Sequence, residues 1–246
     1  MLQQAIWLAK KEIKHHRILL LFTLFGTMFF ALITSVLLDK SAKKMFGTEM
    51  VQYNHILLDI IFVNITVYLG TIFISGPYLS FRAIKEDPFS KRMAMLRSLP
   101  IPVPVLSLSR TLMMLITLVV MSITFYSTLA VALPEGFYQL ISPVEFMVFI
   151  VFWFGCSLAI GGLNPYIEYG TSGKVLHLTP FLFLGILAIT ITTSYKVFDL
   201  GIVELILVGV KSNGWSLALL SLLIGVTACT GWNKILTHRL MKRDYY

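Results

Sequence analysis

The sequence predicts an all-α integral membrane protein: six transmembrane helices, an N-terminal interfacial amphipathic helix, a cytoplasmic helix between spans two and three, and a short non-spanning outer segment between spans five and six. Three observations carry this. Hydrophobic residues make up 57% of the chain and charged residues 13%, against about 25% charged in a soluble domain. The apolar runs approach or exceed the ~20 residues that cross a ~30 Å hydrocarbon core as a helix. The ~10-residue alternating segments of a membrane barrel are missing.

The 246 residues read as one transmembrane domain. Residues 1–17, MLQQAIWLAKKEIKHHR, set Leu2, Ala5, Ile6, Ala9 and Ile13 on one helical face and Lys10, Lys11, Lys14 and Arg17 on the other. With Trp7 at headgroup depth, this fits a helix lying on anionic lipid; a frayed polar tail is the alternative. No cleavable signal peptide is expected, because the first apolar run is of full length and follows this long basic segment.

Spans are expected at 18–38, 56–81, 111–133, 143–163, 179–198 and 214–235. Polar loops are expected at 39–55 and 164–178, and a tight turn at Pro134-Glu135-Gly136. Between the last two spans, GIVELILVGV is too short to cross. It suits either a re-entrant or interfacial hairpin or a hydrophobic loop folded over its neighbours. Lysine and arginine set the sidedness. One side of the membrane keeps only Lys40, Lys43, Lys44, Lys196 and Lys211 of the chain's 20. The other side, with both ends of the chain and residues 82–110, is therefore cytoplasmic under the positive-inside rule. This distribution accounts for the +8 net charge without nucleic acid as a partner.

Residues 82–110 form the longest polar interruption. Asp87 is placed to cap a helix whose first position is Pro88, and Pro100 ends it by disfavouring α backbone at Leu99. Phe89, Met93 and Leu96 fall at i, i+4 and i+7, giving one apolar face. That face needs a surface, either membrane lipid or a partner protein.

Catalytic patterns are missing. The sequence has no Walker A loop, no G-x-S-x-G elbow and no HExxH. Cys156 and Cys229 lie in apolar runs as small packing residues, and the five histidines lack metal-ligand spacing. Asp59, Asn64, Glu145 and Lys196 are expected inside or near the outer half of the membrane, where charge is costly. They could form an outer vestibule along a translocation path or a set of ion pairs, or each could simply be solvated at the interface. Gly155, Ala159 and Gly162 make a small-residue face, for packing within the chain or against a second copy.

Taken together, MLQQAIWLAKKEIKHHR, the loop KEDPFSKRMAMLRSLPIPVPVLSLSR and the non-spanning GIVELILVGV resemble the membrane (permease) subunit of the type-2 ABC exporter family. The resemblance runs along the whole chain. It implies two permease copies, identical or related, working with two cytoplasmic ABC ATPase subunits in a cell membrane, most simply a bacterial one. No cofactor would be bound by this chain, since ATP and magnesium would sit on the partner. The helix after Asp87 would be the coupling helix, with Glu86, Asp87, Phe89, Arg92, Met93, Leu96, Arg97 and Leu99 meeting the ATPase. Pro100, Pro102 and Pro104 would stiffen its link to the third span. The cargo implied is an amphipathic peptide or toxin, else a lipid or drug. Two other classes stand beside this one: a non-transporting immunity or sensor subunit, and a membrane-embedded lipid-modifying enzyme.

Overall fold

A computed structural model describes residues 1–47 and 53–243. Among these residues the fold is helical throughout, with no strand: α1 (Leu2–His15), α2 (Arg17–Phe46), α3 (His55–Tyr68), α4 (Gly76–Leu79), α5 (Ala83–Glu86), α6 (Pro88–Arg97), α7 (Val103–Ala132), α8 (Glu135–Leu140), α9 (Pro143–Gly161), α10 (Asn164–Gly170), α11 (Gly173–Phe198) and α12 (Ile202–Lys242). Five stretches are long and apolar enough to cross a membrane: Arg17–Phe46, Val103–Ala132, Pro143–Gly170, Gly173–Phe198 and Gly214–Lys242. This is the build of a multi-pass membrane protein.

The expected span at 56–81 is not one helix. α3 ends at Tyr68 after 14 residues, about 21 Å at 1.5 Å per residue, which falls short of the hydrocarbon core. Pro77 disfavours a helix continuous through 73–77, because it lacks an N–H and its ring meets the carbonyl four residues back, and it sits instead in the first turn of α4. The connecting backbone is nonetheless interior, with Leu69, Thr71, Ile72 and Ser75 buried. Irregular backbone at membrane depth is tolerated only in such a setting.

Other boundaries also move. α2 runs on to Phe46, supported by an Asp39–Lys43 ion pair at 2.9 Å, so much of the expected loop at 39–55 is helix, while 48–52 lies outside the described residues. The expected turn at Pro134 opens the short α8. The expected polar loop at 164–178 is α10 plus the start of α11, with Pro165, Ile167 and Tyr169 buried. GIVELILVGV is helical, and Gly214 (φ 45°, ψ −124°) kinks the chain between it and the final span.

α9 and α12 form the tightest pair. A Cβ on Gly155 would stand 2.5 Å from the Ser221 backbone, one on Gly225 2.6 Å from the Gly155 carbonyl, and one on Gly162 2.9 Å from Cys229. The small-residue face is thus filled by α12 of the same chain. Beside it, Phe62 packs with its ring centre 5.0 Å from Trp153, 5.5 Å from Phe149 and 5.9 Å from Phe125. Close packing of this kind holds helices together where lipid is as apolar as the core. Large apolar side chains on the outer faces of α2 and α11, such as Phe25, Phe29, Phe181 and Ile189, are exposed.

Candidate functional site

α6 begins as its sequence requires. The Asp87 carboxylate accepts from the Ser90 amide at 3.3 Å and Pro88 occupies the first turn, with Asp87 itself in the left-handed region (φ 42°). Its apolar face lies against the chain's own helices. Met93 and Leu96 are buried with Leu8 of α1, Leu106 of α7, Tyr169 of α10 and Leu236 and Leu240 of α12. Phe89 is half-buried, its ring edge-on to Tyr169 at 5.3 Å. The surface that this face needs is therefore neither lipid nor a partner.

Of the residues expected at an ATPase contact, Phe89, Met93 and Leu96 are corrected to internal positions. Arg92 is half-buried and Asp87 caps α6, whereas Glu86, Arg97 and Leu99 remain exposed. The outward stripe of α6 is Lys91, Met95 and Ser98, at i, i+4 and i+7, continued by Leu99.

Polar contacts clamp both ends of α6. The Arg243 guanidinium, just past α12, donates to Ser90 Oγ at 2.8 Å and to the Tyr169 and Thr171 carbonyls at 3.2 and 2.5 Å. It also stands 3.7 Å from the Asp87 carboxylate. Arg97 donates to the Arg243 carbonyl at 2.6 Å. A helix held this way moves together with α10 and α12.

Behind α6 lies the charged centre of the molecule. Glu12 of α1 is buried, with Arg92 of α6 at 3.0 Å and Arg110 of α7 forking onto both of its oxygens at 2.7 and 2.5 Å. Arg110 also donates to Tyr169 Oη at 3.2 Å, and its guanidinium lies 4.7 Å from the centre of that ring. Tyr78 donates to the Glu168 carboxylate. Burial by itself would raise the Glu12 carboxyl. The Arg110 hydrogen bond and charge, helped by Arg92 and His16, outweigh it and hold the carboxyl below its ordinary value.

These groups surround a cavity of about 60 Å³, room for about two waters. Thr71 and Ser75 line it from the break after α3, and Asn164 and Glu168 from α10, which follows the end of α9. The break after α3 and the polar side chains of α10 thus meet at one interior point. Among the described residues, Arg110 Nε and Asn164 Nδ2 face this region with no hydrogen-bond partner.

The expected outer-side charges sit apart from this centre. Both Asp59 oxygens accept from the α12 amides of Ile202 and Val203 at 2.9 Å. Asp59 thereby caps a helix whose own N-cap, Gly201, has no side chain. Glu204 accepts from the Gly201 amide at 2.7 Å and from the Tyr53 hydroxyl. Glu145 completes a capping box with Ser142 at the start of α9. Asn64 donates to the Ile60 carbonyl one turn back, and Lys196 is exposed in the last turn of α11. Among the described residues no ion pair links Asp59, Glu145 and Lys196.

No family model, curated protein or solved structure matches the chain. Its site is therefore read from its own chemistry. Among the described residues no group of three His, Cys, Asp or Glu side chains could hold a metal ion.

Sequence reasoning passed over Glu12, Tyr78, Glu168, Tyr169 and Arg243. A signal for Glu12 was present: it is the one acid in a basic segment and shares the stripe of Ala5, Leu8 and Ala9. That stripe, rather than the one through Leu2 and Ile6, is the buried face of α1. Arg110 likewise shares a helical face with Leu106 and Met114. Nothing in the sequence pairs Glu12 with Arg110, which lie 98 positions apart.

Proposed function

We propose that this chain is the membrane subunit of an ATP-driven exporter of the type-2 ABC kind, docking a separate cytoplasmic ATPase on α6. The observation that carries the reading is the mounting of α6. It is a capped helix joined by a buried apolar cluster to α1, α7, α10 and α12, with a stripe of its surface left outward. Movement imposed on a helix so held passes to the bundle rather than being absorbed in a loop.

In this reading the broken segment from α3 to α4 completes a sixth crossing. α6 and both ends of the chain then lie in the cytoplasm, as the lysine and arginine distribution requires. α1 lies along the inner surface with Trp7 and its lysines toward lipid. A second permease copy completes the path, and ATP with magnesium belongs to the ATPase pair. The compact outer connections favour a membrane-partitioning cargo such as an amphipathic peptide, and the proposed setting is a bacterial cell membrane.

The ATPase contact is reassigned from the apolar face of α6 to Lys91, Met95, Ser98 and Leu99, with Glu86 and Arg97 at its ends. Met95 and Leu99 are 61% and 47% exposed. The test is co-expression with the cognate ABC ATPase and affinity capture through this chain. Met95→Asp with Leu99→Asp is expected to abolish co-purification and vesicle transport while leaving helicity and elution volume unchanged. Retained capture and transport in that variant would remove the docking role of α6.

A further inference from the structure

α4 stands between the broken crossing and α6, and its packing is thin. None of its residues is buried, and Leu79 and the nearby Phe81 are 68% and 76% exposed. Apolar burial therefore does little to hold this stretch. Two side-chain hydrogen bonds tie it to the bundle instead. Tyr78 donates to Glu168 of α10, and the Ser80 carbonyl accepts from His177 of α11 at 3.2 Å. The same stretch walls the charged centre, since Ser75 and Tyr78 line the cavity beside Glu12 and Arg110.

His177 makes the second tie conditional. Its Nδ1 faces the Gly173 carbonyl at 3.0 Å, one turn back on α11, while Nε2 faces the Ser80 carbonyl. A carbonyl only accepts and a neutral imidazole carries a single N–H, so both bonds are made at once only by the imidazolium. Histidine changes its proton count between about pH 5 and 8. In the neutral ring the one proton stays on the shorter bond to Gly173, which closes within a single helix and orders no second segment. The bare Nε2 then meets the Ser80 oxygen lone pair to lone pair. The charged groups around this end of α11 are its own Lys174, Arg82, Lys85 and Glu86 around α5, Asp87 before α6, Glu168 on α10 and Arg239 on α12. Among the described residues none of these acids forms an ion pair with the ring.

We propose that His177 is a proton-operated latch on the α4 stretch. Protonated, it pins Ser80 to α11 and keeps Ser75 and Tyr78 closed over the Glu12–Arg110 centre. On losing its proton to water it releases Ser80, and the stretch is then held by the Tyr78–Glu168 contact. Ser80 lies seven residues before Asp87, so the latch acts at the root of α6. It does not depend on the exporter reading.

The test places a nitroxide at Leu79→Cys in the full chain, with Cys156→Ala and Cys229→Ala, and reads its mobility in nanodiscs by electron paramagnetic resonance. Raising the pH from about 5 to about 8 should raise the ratio of mobile to immobilised label about fivefold, the ratio that one net hydrogen bond confers. His177→Gln, which does not titrate, should hold one ratio across the range. Tyr78→Phe should keep the pH response and raise mobility at both ends. Circular dichroism at each pH checks that the variants fold, and His177→Asn replaces His177→Gln if that protein does not. A label at Leu79 that ignores pH would overturn the latch. So would a response that survives in a folded His177→Gln protein, or one that disappears in Tyr78→Phe and so assigns the switch to Glu168. A label at Leu182 on α11 should stay unchanged; an equal response there would mean that the whole bundle loosens, and would overturn the latch as well.

Discussion

Glu12 offers the sharpest test of how α6 is fastened. Its carboxylate is shared by two arginines of unequal burial: the Arg110 side chain is 1% exposed, the Arg92 side chain 29%. Glu12→Ala leaves Arg92 able to turn toward solvent but leaves Arg110 charged and enclosed. Breaking a buried pair in this way costs about 3–5 kcal/mol. Glu12→Gln keeps an acceptor for Arg110 and removes only the charge, so its cost should be about 1–3 kcal/mol. Glu12→Leu combined with Arg110→Met removes both charges and should recover most of the loss, since a buried pair adds little over well-packed apolar residues. Equilibrium unfolding in mixed micelles, followed by circular dichroism, reads all three. With Glu12→Leu and Arg110→Met also measured singly, the cycle should give a coupling of about 2 kcal/mol or more between positions 12 and 110. The pH dependence has a defined sign. Because the folded Glu12 carboxyl is held below its ordinary value of 4.5, its stabilisation is complete above that pH. It is lost as pH falls through the lower folded value, and the Glu12→Gln protein should lack this part of the acid loss. A Glu12→Ala protein within 1 kcal/mol of the wild type, with Arg110→Met additive to it, would refute the fastening argument.

Substitutions at three further positions probe the packing that sets the site. Asp59→Ala should cost about 2 kcal/mol, the upper range for losing a helix cap. Asp59→Asn should cost less, because one oxygen still accepts from Ile202 or Val203; matched unfolding midpoints for the two would remove the capping role. Gly155→Ala puts a methyl group 2.5 Å from the Ser221 backbone and should cost about 1–3 kcal/mol through separation of α9 from α12, read as a lower thermal midpoint in detergent. Gly214→Ala meets no neighbour within 4 Å, yet its φ of 45° with ψ of −124° should still cost about 1–3 kcal/mol in backbone strain. A neutral result there would mean that the kink can relax into continuous helix.

By itself the sequence determined the class of the molecule and its punctuation. Composition and run length are properties of each segment alone, so five of the six expected apolar spans and the Asp87-Pro88 helix start were legible. What only the tertiary structure decided is which face of each helix meets which neighbour. The apolar face of α6 could have served lipid or a partner, and Leu8, Leu106, Tyr169 and Leu240 claim it for the chain itself. Asp59 looked like a costly charge in search of a path, and the free amides of α12 make it a cap instead. The break after Tyr68 sits inside an apolar run, and its backbone is buried among neighbouring helices rather than presented to lipid. The Glu12–Arg110 centre is the extreme case. Glu12 stands out as the one acid of its segment, but nothing local directs it to Arg110, and only the folded chain supplies the low-dielectric setting in which each requires the other.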